Sequence, residues 1–67
     1  MRITYDSKAD AAYIYLVDEI PAGGVAKTCP CDPREVQGQI NLDFDSEGRL
    51  LGIEVLDASK KLPANLL

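Results

Sequence analysis

The sequence predicts a small α+β domain: an antiparallel β-sheet of four or five strands, built from hairpins or a meander, with a short C-terminal helical segment. Three observations carry that expectation. Apolar residues recur with a period of two, as at Ile40, Leu42 and Phe44, the pattern of a half-buried strand. Polar and glycine-bearing turns separate such runs at short intervals. The helix start near the end, Asp57-Ala58-Ser59, is soon followed by Pro63, which leaves room for little helix. With 67 residues the chain is a single domain, residues 1–67.

The elements follow in order. Arg2 to Asp6 alternates, with Ile3 and Tyr5 on one side and Arg2, Thr4 and Asp6 on the other. Asp6 to Asp10 is a polar turn. Ala11 to Val17 is a second strand, apolar on both faces. The stretch from Asp18 to Gly38 is irregular and holds Pro21, Pro30 and Pro33. A strand from Val25 to Cys29 would not be central, because proline cannot donate to a ladder. Asp32-Pro33-Arg34-Glu35 reads as a capped helix start, with Gly38 allowing one turn. Gln39 to Asp45 is a strand, Asp45-Ser46-Glu47-Gly48 a hairpin turn, and Arg49 to Leu56 the return strand. Leu51, Ile53 and Val55 form one of its faces; Leu50, Gly52, Glu54 and Leu56 form the other.

Composition narrows function. The net charge is −4 and there is no histidine, so the commonest general base and metal ligand is missing. Lys60-Lys61 is the only adjacent basic pair, which disfavours nucleic-acid binding by a broad basic face. No apolar run approaches the ~18 residues of a membrane span, and the N-terminal residues lack the apolar core of a signal peptide. The expectation is a cytoplasmic protein with reduced Cys29 and Cys31.

Asp43 to Glu54 imitates a calcium loop, with Asp43, Asp45, Glu47, Gly48 and Glu54 at the ligand and glycine positions. Such a loop needs flanking helices, and here the flanks are strands. Glu54 would lie roughly 20 Å along the return strand from the turn. Divalent-metal binding at an Asp43/Asp45/Glu47 tip, or at Cys29/Cys31, stays as the alternative to a plain solvated turn and two small loop residues. A closed zinc site would need Asp32, Glu35 or a second chain as well, and a Cys29–Cys31 disulfide would strain around Pro30. Catalysis is not expected: there is no Cys–His or Ser–His pair and no phosphate-binding glycine loop. Asp43 and Asp45 read as exposed carboxylates of ordinary acidity, and Tyr5, Tyr13 and Tyr15 as packing residues. No cofactor is expected.

Tyr5-Asp6, Ala9-Asp10, Tyr13-Ile14 with Leu16, then Asp43, Asp45 and Gly48, then Gly52-Ile53-Glu54 with Leu56 and Ala58-Ser59, resemble the bacterial domain-of-unknown-function 2283 family. The resemblance implies a small antiparallel sheet with a C-terminal helical segment and no established activity. Members beside toxin genes imply an antitoxin-like role. The Cys29 to Gln39 stretch departs from the simpler connection such members use. Apolar residues on both faces of two strands further predict an interface: a homodimer, joined either face to face or through paired edge strands, or another protein partner, with Tyr13, Tyr15, Leu50 and Leu56 as the contact surface, opposite a core face of Ile14, Leu16, Ile53 and Val55.

Overall fold

Alternating residues from Arg2 to Asp6 form strand β1, which turns back through Asp6–Asp10 into β2 (Ala11–Tyr15) in a computed structural model that describes residues 1–67. Asp6 holds this turn by accepting the Lys8 N–H at 3.0 Å. A long connection leads to β3 (Lys27–Pro30), the single turn α1 (Pro33–Val36), β4 (Ile40–Phe44), β5 (Leu50–Leu56), α2 (Ala58–Lys61) and a 3-10 turn at Ala64–Leu66. Pro63 thus ends α2 and the chain restarts in a tighter turn. The fold class is the expected one, a five-stranded antiparallel sheet with short helical segments near the C-terminus.

The strand order is β1-β2-β5-β4-β3. Two local pieces therefore meet at one seam: the β1–β2 hairpin and the β3–β4–β5 meander join where β2 pairs with β5. Proline-bearing β3 lies at an edge, where the absent Pro30 N–H costs no ladder bond. No helix is long and apolar enough to cross a membrane.

The β4–β5 hairpin is built by Asp45. Its carboxylate accepts the Glu47 and Arg49 N–H groups, both at 2.9 Å. Gly48 closes the turn at φ +80° with nothing within 4 Å of where a Cβ would stand. Gly48→Ala should therefore act only through backbone conformation and destabilise by about 1 kcal/mol. A urea midpoint equal to the parent's would contradict this.

One local expectation holds and another shifts. Asp32 caps α1 as expected, accepting the Arg34 N–H at 2.9 Å, and the helix makes one turn before Gln37 takes a left-handed conformation. Asp57 does not cap α2; it is itself left-handed, at φ +52°, and its side chain makes no cap bond. The α2 amides turn instead to Asp10.

Register assigns the faces. Ile3, Ile14, Ile53, Leu42 and Cys29 align across the five strands, and Tyr5, Ala12, Val55 and Ile40 form the next row. Helix α2 lies against this side, closing a core of Ala12, Val55 and Ala58, with Ile14, Ile40, Ile53 and Leu62 packed around it. The core is small because four residues of helix cannot cover five strands. Of the expected core residues, Ile14, Ile53 and Val55 face it, but Leu16 lies beyond the reach of α2 and keeps 38% of its surface exposed. The accessible surface is 4737 Å². A monomer of 7.3 kDa is expected to show only about 4,200 Å².

Candidate functional site

The face opposite α2 carries a hydrogen-bonded network. Register places Tyr15, Gly52, Asp43 and Thr28 in one row, and Thr4, Tyr13, Glu54, Asn41 and Pro30 in the next. The Tyr13 hydroxyl donates to Asp43 Oδ2 at 2.6 Å, and the Thr28 hydroxyl to Asp43 Oδ1 at 2.6 Å. Asn41 Nδ2 donates to Glu54 Oε1 at 2.9 Å. To reach Asp43 two strands away, the Tyr13 ring crosses directly over Gly52. A Cβ at Gly52 would stand 2.6 Å from the ring's Cζ. Burial, then the bond to Asp43, holds the Tyr13 phenol well above the ordinary range. Tyr15 meets the Tyr13 ring edge-on, centroids 4.7 Å apart, and the Arg2 guanidinium lies 4.0 Å from the Tyr15 ring centre.

A second cluster ties the chain's two ends. Asp10 is held at φ +51° after the first turn, a conformation Asp tolerates better than most residues. Its carboxylate accepts the Tyr5 hydroxyl at 2.8 Å, the Ser59 N–H at 3.0 Å and the Ser59 hydroxyl at 2.7 Å. Its carbonyl accepts the Ala58 N–H at 2.9 Å. The first turn thus caps α2. The Ser59 and Tyr5 hydroxyls lower the Asp10 pKa, and the reciprocal bond raises that of Tyr5.

Both clusters bear on the expected sites. Tyr5 and Tyr13 are proton donors in fixed hydrogen bonds as well as packing residues. Asp43 is half-buried and bonded rather than free on the surface. Asp45 is more acidic than an ordinary aspartate, chiefly because it accepts the Arg49 N–H. The proposed metal tip does not assemble: Asp43 turns to Tyr13 and Thr28, Asp45 to the turn amides, and Glu47 to Arg49 at 2.8 Å. No group of three or more Cys, Asp or Glu side chains converges anywhere. Cys29 and Cys31 are free and half-buried. Tyr13, Tyr15 and Leu56 share the network face, while Leu50 lies where the β4–β5 register shifts. A shallow hollow of roughly 280 Å³ beside Tyr13 is lined by Thr4, Asp6 and Glu54 among others.

Gly52, Asp10 and Ser59 went unassigned in the sequence reading. A glycine inside a strand rich in large residues signals a close approach. Nothing local signals the bond from Asp10 to Ser59.

The sequence profile of a family described as a protein of unknown function, DUF2283, matches residues 2–59. The chain belongs to the DUF2283 family. No curated protein and no solved structure matches it. The DUF2283 match spans the Cys29–Gln39 stretch and stops at Ser59, before the rest of α2 and the 3-10 turn. The residues that carried the resemblance have mechanical roles here: Tyr5, Asp10 and Ser59 bind α2 to the first hairpin, Tyr13, Asp43 and Gly52 lock the seam, and Asp45 with Gly48 makes the turn.

Proposed function

We propose that this DUF2283 chain is a non-catalytic, cytoplasmic interaction domain that works as a homodimer, joined through the α2 side of its sheet. The observation that carries the reading is the half-covered apolar row of Ile3, Ile14, Ile53 and Leu42, beside exposed Leu16, in a chain showing more surface than its mass warrants. The excess over a compact monomer is about 500 Å².

Charge favours the same side. Two copies at −4 each repel, and the network face brings Asp6, Asp43 and Glu54 to any contact made there. The two α2-side rows named above contain no carboxylate, and the charge nearest them on the strands is the ammonium of Lys27 at the β3 edge. The contact surface therefore moves from Tyr13, Tyr15, Leu50 and Leu56 to Ile3, Ile14, Leu16 and Leu42. An antitoxin-like role would place a different protein on the same apolar row. The acidic balance argues against a nucleic-acid partner.

Native mass spectrometry at micromolar concentration should show an even-numbered assembly without added mass. Leu16→Lys removes an exposed apolar contact and sets like charges together, so it should weaken association at least about tenfold while sparing the fold. A wild-type monomer that also recovers no protein partner from its host extract would end this reading.

A further inference from the structure

The edge strand β1 is complementary to itself. Read in both directions, Arg2-Ile3-Thr4-Tyr5-Asp6 places a cation against an anion, a branched side chain against an aromatic one, and threonine against threonine. We infer that β1 pairs antiparallel with β1 of a second copy about a two-fold axis through Thr4, extending two sheets into one of ten strands.

The two sheet edges differ in a way that favours this contact. Edge β3 is four residues long, carries Lys27, and ends at Pro30, which has no N–H; charged and proline-bearing edges resist pairing. Edge β1 has five residues without proline, glycine or bulge, and its backbone pairs only with β2. Its outward N–H and C=O groups are a template for another strand. With the axis at Thr4, Arg2 stands opposite Asp6 of the second copy, and Ile3 opposite Tyr5. The first pair lies on the network face and the second on the α2 side, so each face keeps its character across the join. Opposite-charge, aromatic–aliphatic and Thr–Thr pairs are all favourable cross-strand neighbours. The β1–β2 ladder turns the Arg2, Thr4 and Asp6 amides to β2 and leaves those of Ile3 and Tyr5 outward, so the contact carries about four backbone hydrogen bonds, from the two Ile3–Tyr5 pairs.

This contact is independent of the face contact proposed above. Its axis runs perpendicular to the sheet, whereas a face-to-face axis lies parallel to it. Used together, the two close four chains into a D2 tetramer where their axes intersect and otherwise extend into an open assembly.

The test is charge reversal read by sedimentation equilibrium, with native mass spectrometry as a check. Arg2→Asp alone, or Asp6→Arg alone, sets like charges opposite each other twice per contact and should weaken edge association at least about tenfold. The double variant restores both pairs and should recover it. Asp6→Arg also removes the carboxylate that accepts the Lys8 N–H, but the double variant shares that loss, so recovery cannot come from the turn. Ile3→Pro, at an N–H that points away from β2, should abolish the edge contact outright. Unchanged assembly in Ile3→Pro, or a double variant as weak as its worse single, overturns the inference. Leu16→Lys separates the two readings: if it leaves the mass unchanged while charge reversal halves it, the edge contact stands and the face contact fails.

Discussion

Gly52→Ala should melt far below the parent protein, because the new methyl group would enter the space filled by the Tyr13 ring. Its Cβ would stand 2.6 Å from the ring's Cζ, well inside van der Waals contact. The ring cannot swing aside without giving up the 2.6 Å bond from its hydroxyl to Asp43. Overpacking of this kind costs about 1–3 kcal/mol. For 67 residues the whole stability is roughly 3–10 kcal/mol, so the loss is a large fraction of it. Valine at the same position should be worse. The diagnostic is the double variant: Tyr13→Ala destabilises alone, but it opens the space that Gly52→Ala needs, so the two effects should fall short of additive. Full additivity in urea denaturation would mean that ring and glycine do not conflict.

Asp10→Ala should have the other large effect, through α2 and the core beneath it. It removes the acceptor for the Ser59 N–H, the Ser59 hydroxyl and the Tyr5 hydroxyl together, and it puts alanine at φ +51°. Ser59→Ala loses only one of those bonds and should lower the melting temperature less. Asp10→Asn, which tolerates the backbone and keeps an acceptor, should fall between them. An order in which Ser59→Ala is the most damaging would refute the cap.

The pH dependence follows from the same bonds. The Asp10 and Asp45 carboxyls titrate below the ordinary 3.8 in the fold. Their contribution is complete above that value and drains away as pH falls through their lowered pKa values. The phenols of Tyr5 and Tyr13 titrate above the ordinary 10.0. Their contribution is complete below 10.0 and is lost as pH rises through the raised values. Melting temperature against pH should therefore hold level between these limits and fall outside both, with the acid limb shallower in Asp10→Ala.

The parts of this fold legible in the sequence are those whose cause is local. Alternation located β1, β4 and β5, Asp45 and Gly48 fixed the hairpin, and Asp32 before Pro33 gave the α1 cap. The parts that were not legible depend on distant partners. Asp57 looks like a cap by position, but the bond that α2 uses comes from Asp10, 49 residues from Ser59. Asp43 looks exposed by alternation, yet Tyr13 reaches it across an intervening strand, and only the presence of a glycine in that strand makes the path open. Alternation likewise put Leu16 on the face of Ile14, but could not show that α2 is too short to cover it, and Leu16 stays exposed rather than joining the core.

The seam between β2 and β5 has a consequence for how the chain assembles. The β1–β2 hairpin and the β3–β4–β5 meander each close through neighbours near in sequence, whereas joining them requires the ends of the chain to meet. Loop closure between β2 and β5 is then the slow, entropically costly event. Tyr13 and Asp10, both carried by the first hairpin, complete their bonds only after it. A break in the connection between β2 and β3 would leave two peptides, each holding half of every such bond. The shorter one, little more than a hairpin, would act as a ligand for the longer, and the intact chain can be regarded as that complex with its two members tethered.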